Sequence, residues 1–474
     1  MKQAEYQISL FDGDHKLTID KPIRLIELFA GYGSQALALK YLGANFEHWK
    51  ICEWAVKSIQ AYKDLHFGDD NTDYSATKTQ DEVINYLYSK GISANYNEPM
   101  TIDQIKRLGE EKQRVIYNNL IATHNLVSVC NCHASDLEIS DTDKYTYIMT
   151  YSFPCQDLSL AGKGLGMEKG SGTRSGLLWE VERILDECNG NLPQILLMEN
   201  VPEVIGTNNS EHFSQWVAKL DSLGYKSKWE ILNAKDYGVP QNRARCFMVS
   251  WLGNYYYDFP KKVKLEKRIK DILETNVDEK YYLNDDTIER ISKWKSQQQP
   301  LDHILNDNSC SPCLTARGGG EEHSGMILYG ETNDNRFFKQ AFETAQENEC
   351  SIGDTIDAYN KKVNQSGTSP TITTRPEGFK TAILVVDEQN KYVRQDGIVG
   401  TLTTDGSSPK HNNRIIEKNL RIRKITPKEC GRLMGVRDKD IDTMAVNQNN
   451  SSQYHLYGDS IVVDVLMAIF GQML

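Results

Sequence analysis

The stretch IRLIELFAGYGSQALALKYLG (23–43) decides the fold. It begins with an apolar run typical of a buried strand, turns through Gly31 and Gly33, and continues as a helix that stops at Gly43. A strand, a glycine turn and a helix form the first half of a βαβ unit. The stretch therefore predicts an α/β domain in which helices flank a parallel sheet.

The glycine turn by itself does not identify a ligand. Glycine lets the backbone turn tightly and approach a bound molecule closely. Such a turn can serve NAD, FAD or S-adenosylmethionine, or no ligand at all. The pattern also lacks the third glycine of the dinucleotide fingerprint, so these alternatives stay open at this point.

The next segment, FEHWKICEWAVKSIQAY (46–62), predicts a second strand and a second helix. Its strand ends at Glu53, a position where an acidic residue typically binds ribose hydroxyls in this class of fold. Trp54 follows directly, and its indole either stacks on an adenine or packs in the core. Together they make this strand end a candidate nucleotide-binding position.

Residues 68–130 interrupt the βαβ rhythm and predict an insertion. Two helices are expected within it, because capping boxes pair Thr79 with Glu82 and Thr101 with Gln104. The rhythm resumes with a strand at 145–152 and continues to about residue 256.

Two later strand ends carry reactive side chains. Cys155 follows Pro154 in YSFPCQDLSLAGKGLG (151–166), so it is either an inert packing residue or a nucleophile over which a glycine-rich loop closes. Glu199 and Asn200 end an apolar run, where a carboxylate is usually present for chemistry or for pairing. The Asn200 amide can also simply brace the turn.

A third strand carries a polar row. In YGVPQNRARCFMV (237–249), Gln241, Arg243 and Arg245 occupy alternate positions and are expected to face one way. Such a row suits the binding of a polar or anionic group. Because the carboxyl ends of parallel strands meet at one edge of a sheet, we expect the thiol, the carboxylate, the arginines and the nucleotide-binding position to converge there.

The second half of the chain has a different texture. After about residue 256, polar segments that contain glycine alternate with short β-like runs. Three similar Thr-rich segments begin at Ser311, Ser369 and Val399. They are either three strands of one sheet whose turns face the same way or three ordinary entries into β-turns. The basic run KKVKLEKRIK (261–270) is expected to be a solvated helix face.

The composition limits the class of protein. The chain has 474 residues, a formal net charge of -11 and ten scattered cysteines, which favours two domains in a reducing, cytoplasmic setting. No stretch approaches the ~20 apolar residues of a membrane span, and the first residues do not resemble a signal peptide. The negative net charge argues mildly against binding to nucleic acid, although a binding cleft can be locally basic on an acidic protein.

Two cysteine clusters invite a metal interpretation. CNCH (130–133) and CSPC (310–313) contain the right residue types, but neither matches a common zinc spacing well. No metal site is therefore predicted.

The motifs together resemble those of the DNA (cytosine-5)-methyltransferase family of bacterial or phage type, in the family's order. In the first part, the similar segments are the cofactor loop FAGYGS (29–34), the ribose and adenine contacts CEW (52–54), and SDLEI (135–139), whose acidic residue would contact the adenine amine. FPCQDLSLAGKG (153–164) resembles the nucleophile loop, and TRSGLLWEV (173–181) resembles the helix behind it.

Four further segments extend the resemblance to the end of the chain. MENV (198–201) and QNRAR (241–245) resemble the two remaining catalytic signatures. RKITPKECGRLMG (423–435) resembles the helix that organises the recognition domain, and YGDSIVVDV (457–465) resembles the closing segment.

The resemblance implies a Rossmann-like, S-adenosyl-L-methionine-dependent methyltransferase domain and a smaller, β-rich target-recognition domain. The implied catalytic residues are Cys155, Glu199, Arg243 and Arg245. The implied cofactor-binding residues are Phe29, Ala30, Gly31, Gly33, Ser34, Glu53, Trp54, Asp136, Leu137, Pro154, Leu177, Asp459 and Ser460. Expected DNA contacts are Gln156, Ser159, Lys163, Asn200 and Gln241, to which the Thr-rich turns add Arg317 and Arg375.

Three positions depart from the family's pattern. Phe153 stands where a second proline is usual, Ser34 replaces a glycine of the cofactor loop, and Asp459 replaces an asparagine near the end. None of these changes removes a group that the chemistry needs, so an active enzyme is expected.

The expected organisation is a catalytic domain at 1–256, completed by 450–474, and a recognition domain at 257–449, with double-stranded DNA in the cleft between them. The protein is expected to be a cytoplasmic monomer, and a cognate restriction endonuclease is a further candidate partner. The alternatives are a tRNA cytosine methyltransferase, a catalytically silent DNA-binding regulator and a nicotinamide-dependent oxidoreductase.

Overall fold

The structure of the protein is a computed structural model. It describes residues 15–154, 167–169, 175–281 and 425–474, and the backbone of short strands between 304 and 424. The strands are β1 His15–Lys16, β2 Ile23–Leu28, β3 Phe46–Cys52, β4 Thr146–Tyr151, β5 Ile195–Asn200, β6 Tyr225–Asn233, β7 Ala244–Leu252, β8 Tyr255–Tyr256, β9 Ile304–Leu305, β10 Met326–Tyr329, β11 Thr355–Asp357, β12 Lys362–Asn364, β13 Val386–Asp387, β14 Tyr392–Val393 and β15 Arg421–Lys424.

The helices alternate with the strands in the first half of the chain and cluster at its end. They are α1 Ser34–Leu42, α2 Val56–His66, α3 Gln80–Lys90, α4 Ile102–Arg107, α5 Glu110–Ala122, α6 Ala134–Leu137, α7 Leu178–Glu187, α8 Ser210–Ser222, α9 Pro427–Leu433, α10 Asp438–Ala445, α11 Asn450–Asp459 and α12 Val463–Phe470. No described helix is long and apolar enough to cross a membrane.

A six-stranded sheet has the order β3-β2-β4-β5-β7-β6. Strands β3, β2, β4 and β5 are parallel, whereas β7 runs antiparallel to both β5 and β6. All residues of β4 and β5 are buried, as expected for central strands that are covered on both faces. The mostly parallel sheet and its flanking helices confirm the Rossmann-like α/β class.

The first βαβ turn depends on glycine at position 33. Gly33 has a φ of +81° and precedes α1, and a Cβ at this position would lie 2.6 Å from the ring of Tyr62. The backbone conformation and the close packing of α2 therefore both require glycine. Helix α1 ends at Gly43, which has a φ of +71°, as the sequence predicted.

The insertion packs around a small hydrophobic core that it shares with Ile59 of α2. Both predicted capping boxes are present, with Thr79 at the start of α3 and Thr101 at the start of α4. Helix α5 was not predicted. It packs with α3 and α4 around a cluster of buried aliphatic side chains that includes Val83, Leu87 and Ile116.

Two local expectations differ from the structure. Strand β6 was not predicted, because its sequence YKSKWEILN mixes charged and apolar residues and is strand-like only when paired with β7. The basic run 261–270 is not a helix face: residues 261–268 are irregular, and only a short 3-10 turn follows at Ile269–Asp271.

The chain divides into two compact units. One comprises Met1–Glu274, Asp307–Ser324 and Thr426–Leu474, and the other comprises Thr275–Asn306 and Gly325–Ile425. In the first unit, α12 packs against α1, and the backbone N–H of Ile19 donates to the carbonyl of Met473. The domain boundaries expected at 256/257 and 449/450 stay a prediction.

The second unit contains short strand pairings. They form a three-stranded sheet of order β15-β10-β9 and the pairs β11-β12 and β13-β14. The three Thr-rich segments that begin at Ser311, Ser369 and Val399 lie outside the described residues.

A wholly buried carboxylate lies in the middle of the first βαβ unit. Glu27 of β2 accepts hydrogen bonds from the Tyr62 hydroxyl at 2.6 Å and from the Ala36 backbone N–H at 3.3 Å. Burial raises the pKa of Glu27 from 4.5 to about 7. Because the folded state then keeps a proton that the unfolded state releases, this residue makes stability fall as the pH rises from about 4.5 to 7.

We expect Glu27→Gln to remove that part of the pH dependence. Between pH 5 and pH 8, the free energy of unfolding of the wild type should fall by up to about 2 kcal/mol relative to the variant. Urea unfolding of both proteins across this pH range measures the difference in slope. Parallel pH profiles would show that Glu27 titrates normally in the folded protein.

Candidate active site

An open cavity of about 450 Å³ lies at the carboxyl ends of the parallel strands, and we call it the edge cavity. Segments that follow β2, β3, β4 and β5 line it, together with residues of the insertion and the end of α11. The lining residues that follow the four strands are Phe29, Gly31, Glu53, Trp54, Ser152, Phe153, Pro154 and Val201, with Cys52, Glu199 and Asn200 from the strands themselves.

Glu53 organises one end of the cavity. Its carboxylate accepts hydrogen bonds from the backbone N–H groups of Gly31, at 2.8 Å, and Ala55, at 2.7 Å, so it joins the loops after β2 and β3. Burial raises the pKa of Glu53 from 4.5 to about 7, although these donors oppose the shift. Gly31 has a φ of +57°, and a Cβ added there would meet no atom within 4 Å, so the backbone faces open space.

Trp54 combines the two roles that the sequence offered as alternatives. Its indole lines the edge cavity and also packs, partly buried, against the core of the insertion. An aromatic ring that is fixed by a core on one side can offer its other surface to a planar ligand.

Three residues of the predicted cofactor loop do not line the cavity. Ala30 and Ser34 are buried, and Gly33 supplies the turn before α1. The Ser34 hydroxyl donates to the side chain of Gln35 rather than pointing into the cavity. Their contribution is to the shape of the turn.

Asp136 and Leu137 are not among the residues that line the edge cavity. The Asp136 carboxylate accepts the backbone N–H of His133 at 2.9 Å and so caps α6, while Leu137 is fully buried in the core. Val127, Ser128 and Val129 line the cavity instead. Asn125 holds this segment beside the end of β3, because it bridges to Ile51 and its side-chain oxygen accepts the backbone N–H groups of Glu53 and Val127.

The other end of the cavity holds an ion pair. The carboxylate of Glu199, the penultimate residue of β5, lies 3.2 Å from Nε of Arg245, the second residue of the neighbouring strand β7. Burial raises the pKa of Glu199, and the charges of Arg245 and Arg243 oppose the shift. A buried carboxylate that keeps its proton more readily can donate a hydrogen bond as well as accept one.

Pro154 and Asn200 brace this end. The Asn200 amide donates to the carbonyl of Phe153 at 3.0 Å, and its side-chain oxygen accepts the backbone N–H of Val201. The hydroxyl of Ser175 donates to the carbonyl of Pro154 at 2.8 Å, next to the predicted residue Leu177, which also lines the cavity. The segment that follows β4 is thus held by two hydrogen bonds, at the carbonyls of Phe153 and Pro154, immediately before position 155.

The polar row at 241–245 does not face one way. Gln241 donates to the carbonyl of Leu433 at 2.7 Å and does not line the cavity, whereas Arg243 and Arg245 do. Arg243 is buried and donates to the carbonyls of Gly458 and Ser460. Alternation holds only within a strand, and β7 begins at Ala244, so the expected common orientation was wrong for Gln241.

The cavity also contains residues that the sequence did not indicate. Asn95, Tyr96 and Asn97 of the insertion line it, as do Ser58 and His455. Tyr96 has a φ of 62°, uncommon for a residue other than glycine. Its ring lies edge-on to the His455 ring at 4.2 Å. No sequence signal joins residues so far apart in the chain.

Some predicted site residues cannot be placed. Cys155, Gln156, Ser159, Lys163, Arg317 and Arg375 lie outside the described residues. The described part of the chain contains no group of three or more His, Cys, Asp or Glu residues that could hold a metal ion, and the CSPC cluster lies outside that part.

Comparisons with known proteins agree with one another. Residues 116–474 match the family model described as C-5 cytosine-specific DNA methylase. The type II methyltransferase M2.ScrFI of Lactococcus lactis subsp. cremoris is 30% identical over 455 residues, which cover 95% of this chain and 99% of that one. The orphan methyltransferase M.SssI of Spiroplasma monobiae is 37% identical over 317 residues, which cover 63% of this chain and 80% of that one.

Solved structures with a similar fold are more distant in sequence. The S. pombe Dnmt2 methyltransferase has a TM-score of 0.52 at 15% identity and covers 95% of this chain and 97% of that one. The Entamoeba histolytica methyltransferase EhMeth has a TM-score of 0.51 at 15% identity and covers 96% of this chain and 98% of that one. At this level of identity the similarity concerns the fold alone.

Proposed function

This chain belongs to the C-5 cytosine-specific DNA methylase family and acts as a DNA (cytosine-5)-methyltransferase, and we propose that it transfers a methyl group from S-adenosylmethionine to a flipped-out cytosine through a covalent adduct on Cys155. The observation that carries the proposal is the edge cavity. Glu53 and Trp54 line one end of it, and Glu199, Arg245 and Pro154 line the other. A single space can therefore hold a nucleoside cofactor beside a reacting base.

The cavity residues fit S-adenosylmethionine, which would supply an electrophilic methyl group. Glu53 would accept the ribose hydroxyls, and Trp54 would stack on the adenine. Phe29 and the open backbone of Gly31 would border the cofactor, and Pro154, Leu177, Asp459 and Ser460 would enclose the rest. A volume of about 450 Å³ is within the usual range for a small-molecule site.

Carbon 5 of cytosine is a poor nucleophile, and covalent catalysis solves that problem. The Cys155 thiolate would add to carbon 6. Glu199 would hydrogen-bond N3 and the amino group and so stabilise protonated N3, while Arg245 would hold the carbonyl O2. Arg243 would act as a brace through the carbonyls of Gly458 and Ser460. Loss of the carbon-5 proton and of the thiol would complete the turnover.

A cytosine stacked in a duplex cannot enter such a cavity, so the base would have to be flipped out at a cost of a few kcal/mol. Gln156, Ser159 and Lys163, in the glycine-rich loop after Cys155, would contact the DNA, and Asn200 would support the flipped base. Arg317 and Arg375 would contact the DNA from the recognition region at 257–449. That assignment rests on the Thr-rich sequence segments.

The test is a methylation assay with purified full-length protein. Tritiated S-adenosylmethionine is supplied with a duplex DNA library of random sequence or with tRNA, and methylated cytosines in the DNA are located by sequencing. Label is expected in duplex DNA, at cytosines in one short sequence context, and not in tRNA. Label in tRNA alone, or in no substrate, would overturn the proposal.

Trp54→Ala should weaken S-adenosylmethionine binding by ~1–3 kcal/mol, the usual loss when a stacking aromatic is removed. Glu53→Gln should also weaken it, through the ribose. Isothermal titration calorimetry measures both dissociation constants. Trp54→Phe, which keeps a stacking ring and much of the packing against the insertion, should recover most of the affinity.

Asp136→Ala is the matched control, because the structure places this carboxylate outside the cavity. Its dissociation constant should stay within about twofold of the wild-type value. A loss as large as that of Trp54→Ala would instead support the adenine contact inferred from the sequence.

A further inference from the structure

Asp459 is held in a fixed position on the wall of the edge cavity. It ends α11, and its side chain, 55% exposed, lines the cavity. Arg243 donates from one guanidinium nitrogen to the carbonyl of Gly458 at 2.9 Å and to that of Ser460 at 2.7 Å, the residues on either side of Asp459. The backbone is therefore clamped at this point while the carboxylate stays open to the cavity.

Neighbouring side chains complete this wall. His455, one helical turn earlier, lies with Nδ1 3.5 Å from the Asp459 carboxylate. The Tyr96 ring packs edge-on against the His455 ring at 4.2 Å, and the Tyr96 hydroxyl lies 3.3 Å from that of Ser58. The insertion and α11 thus meet beside Asp459, and both line the cavity there.

Asp459 lines the same cavity as Glu53, Glu199 and Arg245 and interacts electrostatically with groups at both ends. Its charge contributes to the raised pKa of Glu53 at the ribose end. Enclosure raises the pKa of Asp459 itself, and His455, Arg243 and Arg245 oppose this shift. The carboxylate is therefore within electrostatic reach both of the nucleoside end and of the end that holds Glu199 and Arg245.

The proposed cofactor would span these same ends. Its ribose would be held by Glu53, and its methyl group must reach a base held by Glu199 and Arg245. The sulfur is a permanent cation in S-adenosylmethionine and is neutral in S-adenosylhomocysteine, because transfer of the methyl group removes the charge. A carboxylate on the wall of the cavity attracts the first molecule more strongly than the second.

We propose that Asp459 is a specificity-determining residue that distinguishes the charged methyl donor from its neutral product. The inference rests on the proposed use of S-adenosylmethionine. An amide at this position would carry no net charge with which to make this distinction. The consequence is faster exchange of spent cofactor for fresh donor, with weaker inhibition by the product.

The test is the ratio of two dissociation constants. Calorimetry at pH 8, which favours the ionised carboxylate, measures S-adenosylmethionine and S-adenosylhomocysteine on full-length wild type and Asp459→Asn. We expect the variant to bind the methyl donor about tenfold more weakly and the product within about twofold of the wild type. Sinefungin, a stable analogue with an amine in place of the methyl-sulfonium, should behave like the methyl donor.

Glu53→Gln is the matched control, since both ligands contain the ribose and should weaken by the same factor. An Asp459→Asn variant that weakens both ligands equally, or neither, overturns the inference while leaving the cofactor assignment standing. A wild type that binds neither ligand overturns the proposed cofactor and this inference together.

Discussion

Cys155→Ala is expected to abolish methyl transfer. The rate should fall by ~10⁴-fold or more, the scale seen when a covalent nucleophile is removed. Without the thiol, no adduct can form at carbon 6, and carbon 5 stays unreactive towards the methyl donor. The measurement is transfer of tritiated methyl groups to duplex DNA, together with the circular dichroism spectrum to confirm that the variant is folded.

Duplex DNA containing 5-fluorocytosine identifies the nucleophile directly. Fluorine at carbon 5 cannot leave as a proton does, so the wild type should be trapped as a covalent complex that survives denaturing electrophoresis. Cys155→Ala should give no such band. A variant that still methylates or is still trapped would show that another group attacks the base.

Cys130→Ala is the matched control, because Cys130 is an exposed thiol that lines the edge cavity. Partial desolvation raises the pKa of Cys130, which disfavours the thiolate that attacks and argues against this residue as the nucleophile. Cys130→Ala should therefore keep the trapped complex. Loss of the band in this variant alone would move the nucleophile to position 130.

Glu199→Gln is expected to lower kcat by at least ~100-fold, the usual contribution of a group that stabilises a protonated base in the transition state. The amide cannot carry the charge that stabilises protonated N3. It also leaves Arg245, 3.2 Å away, without its anionic partner. Single-turnover methylation at saturating DNA and cofactor measures the chemical step.

The pH profile separates this chemical role from a structural one. Burial raises the pKa of Glu199, so its carboxylate is protonated more readily as the pH is lowered. On the acid side of the pH profile, the wild-type rate should therefore begin to fall at a higher pH than it would with an exposed glutamate, and Glu199→Gln should lack this acid limb. Glu203→Gln, at a carboxylate in the next turn that does not line the cavity, should retain the wild-type rate within about twofold. Equal losses in both variants would argue against a catalytic role for Glu199.

The sequence by itself determined the elements that depend on local patterns. The apolar run at 23–28, the glycine stop at Gly43 and the capping boxes at Thr79 and Thr101 are all present in the structure. Each of these features involves residues within five positions of one another, so short-range propensity and periodicity are sufficient. The motifs at the strand ends likewise indicated the family before any fold was known.

Only the tertiary structure decided which of these residues share a cavity. Asp136 lies in a matching motif, yet its carboxylate caps α6, and residues 127–130 line the cavity instead. Gln241 precedes β7 and bonds to Leu433, almost two hundred residues later. Tyr96 reaches His455 because the insertion packs beside α11. Contacts between residues so distant in the chain are selected by packing of the whole domain, which leaves no local pattern in the sequence.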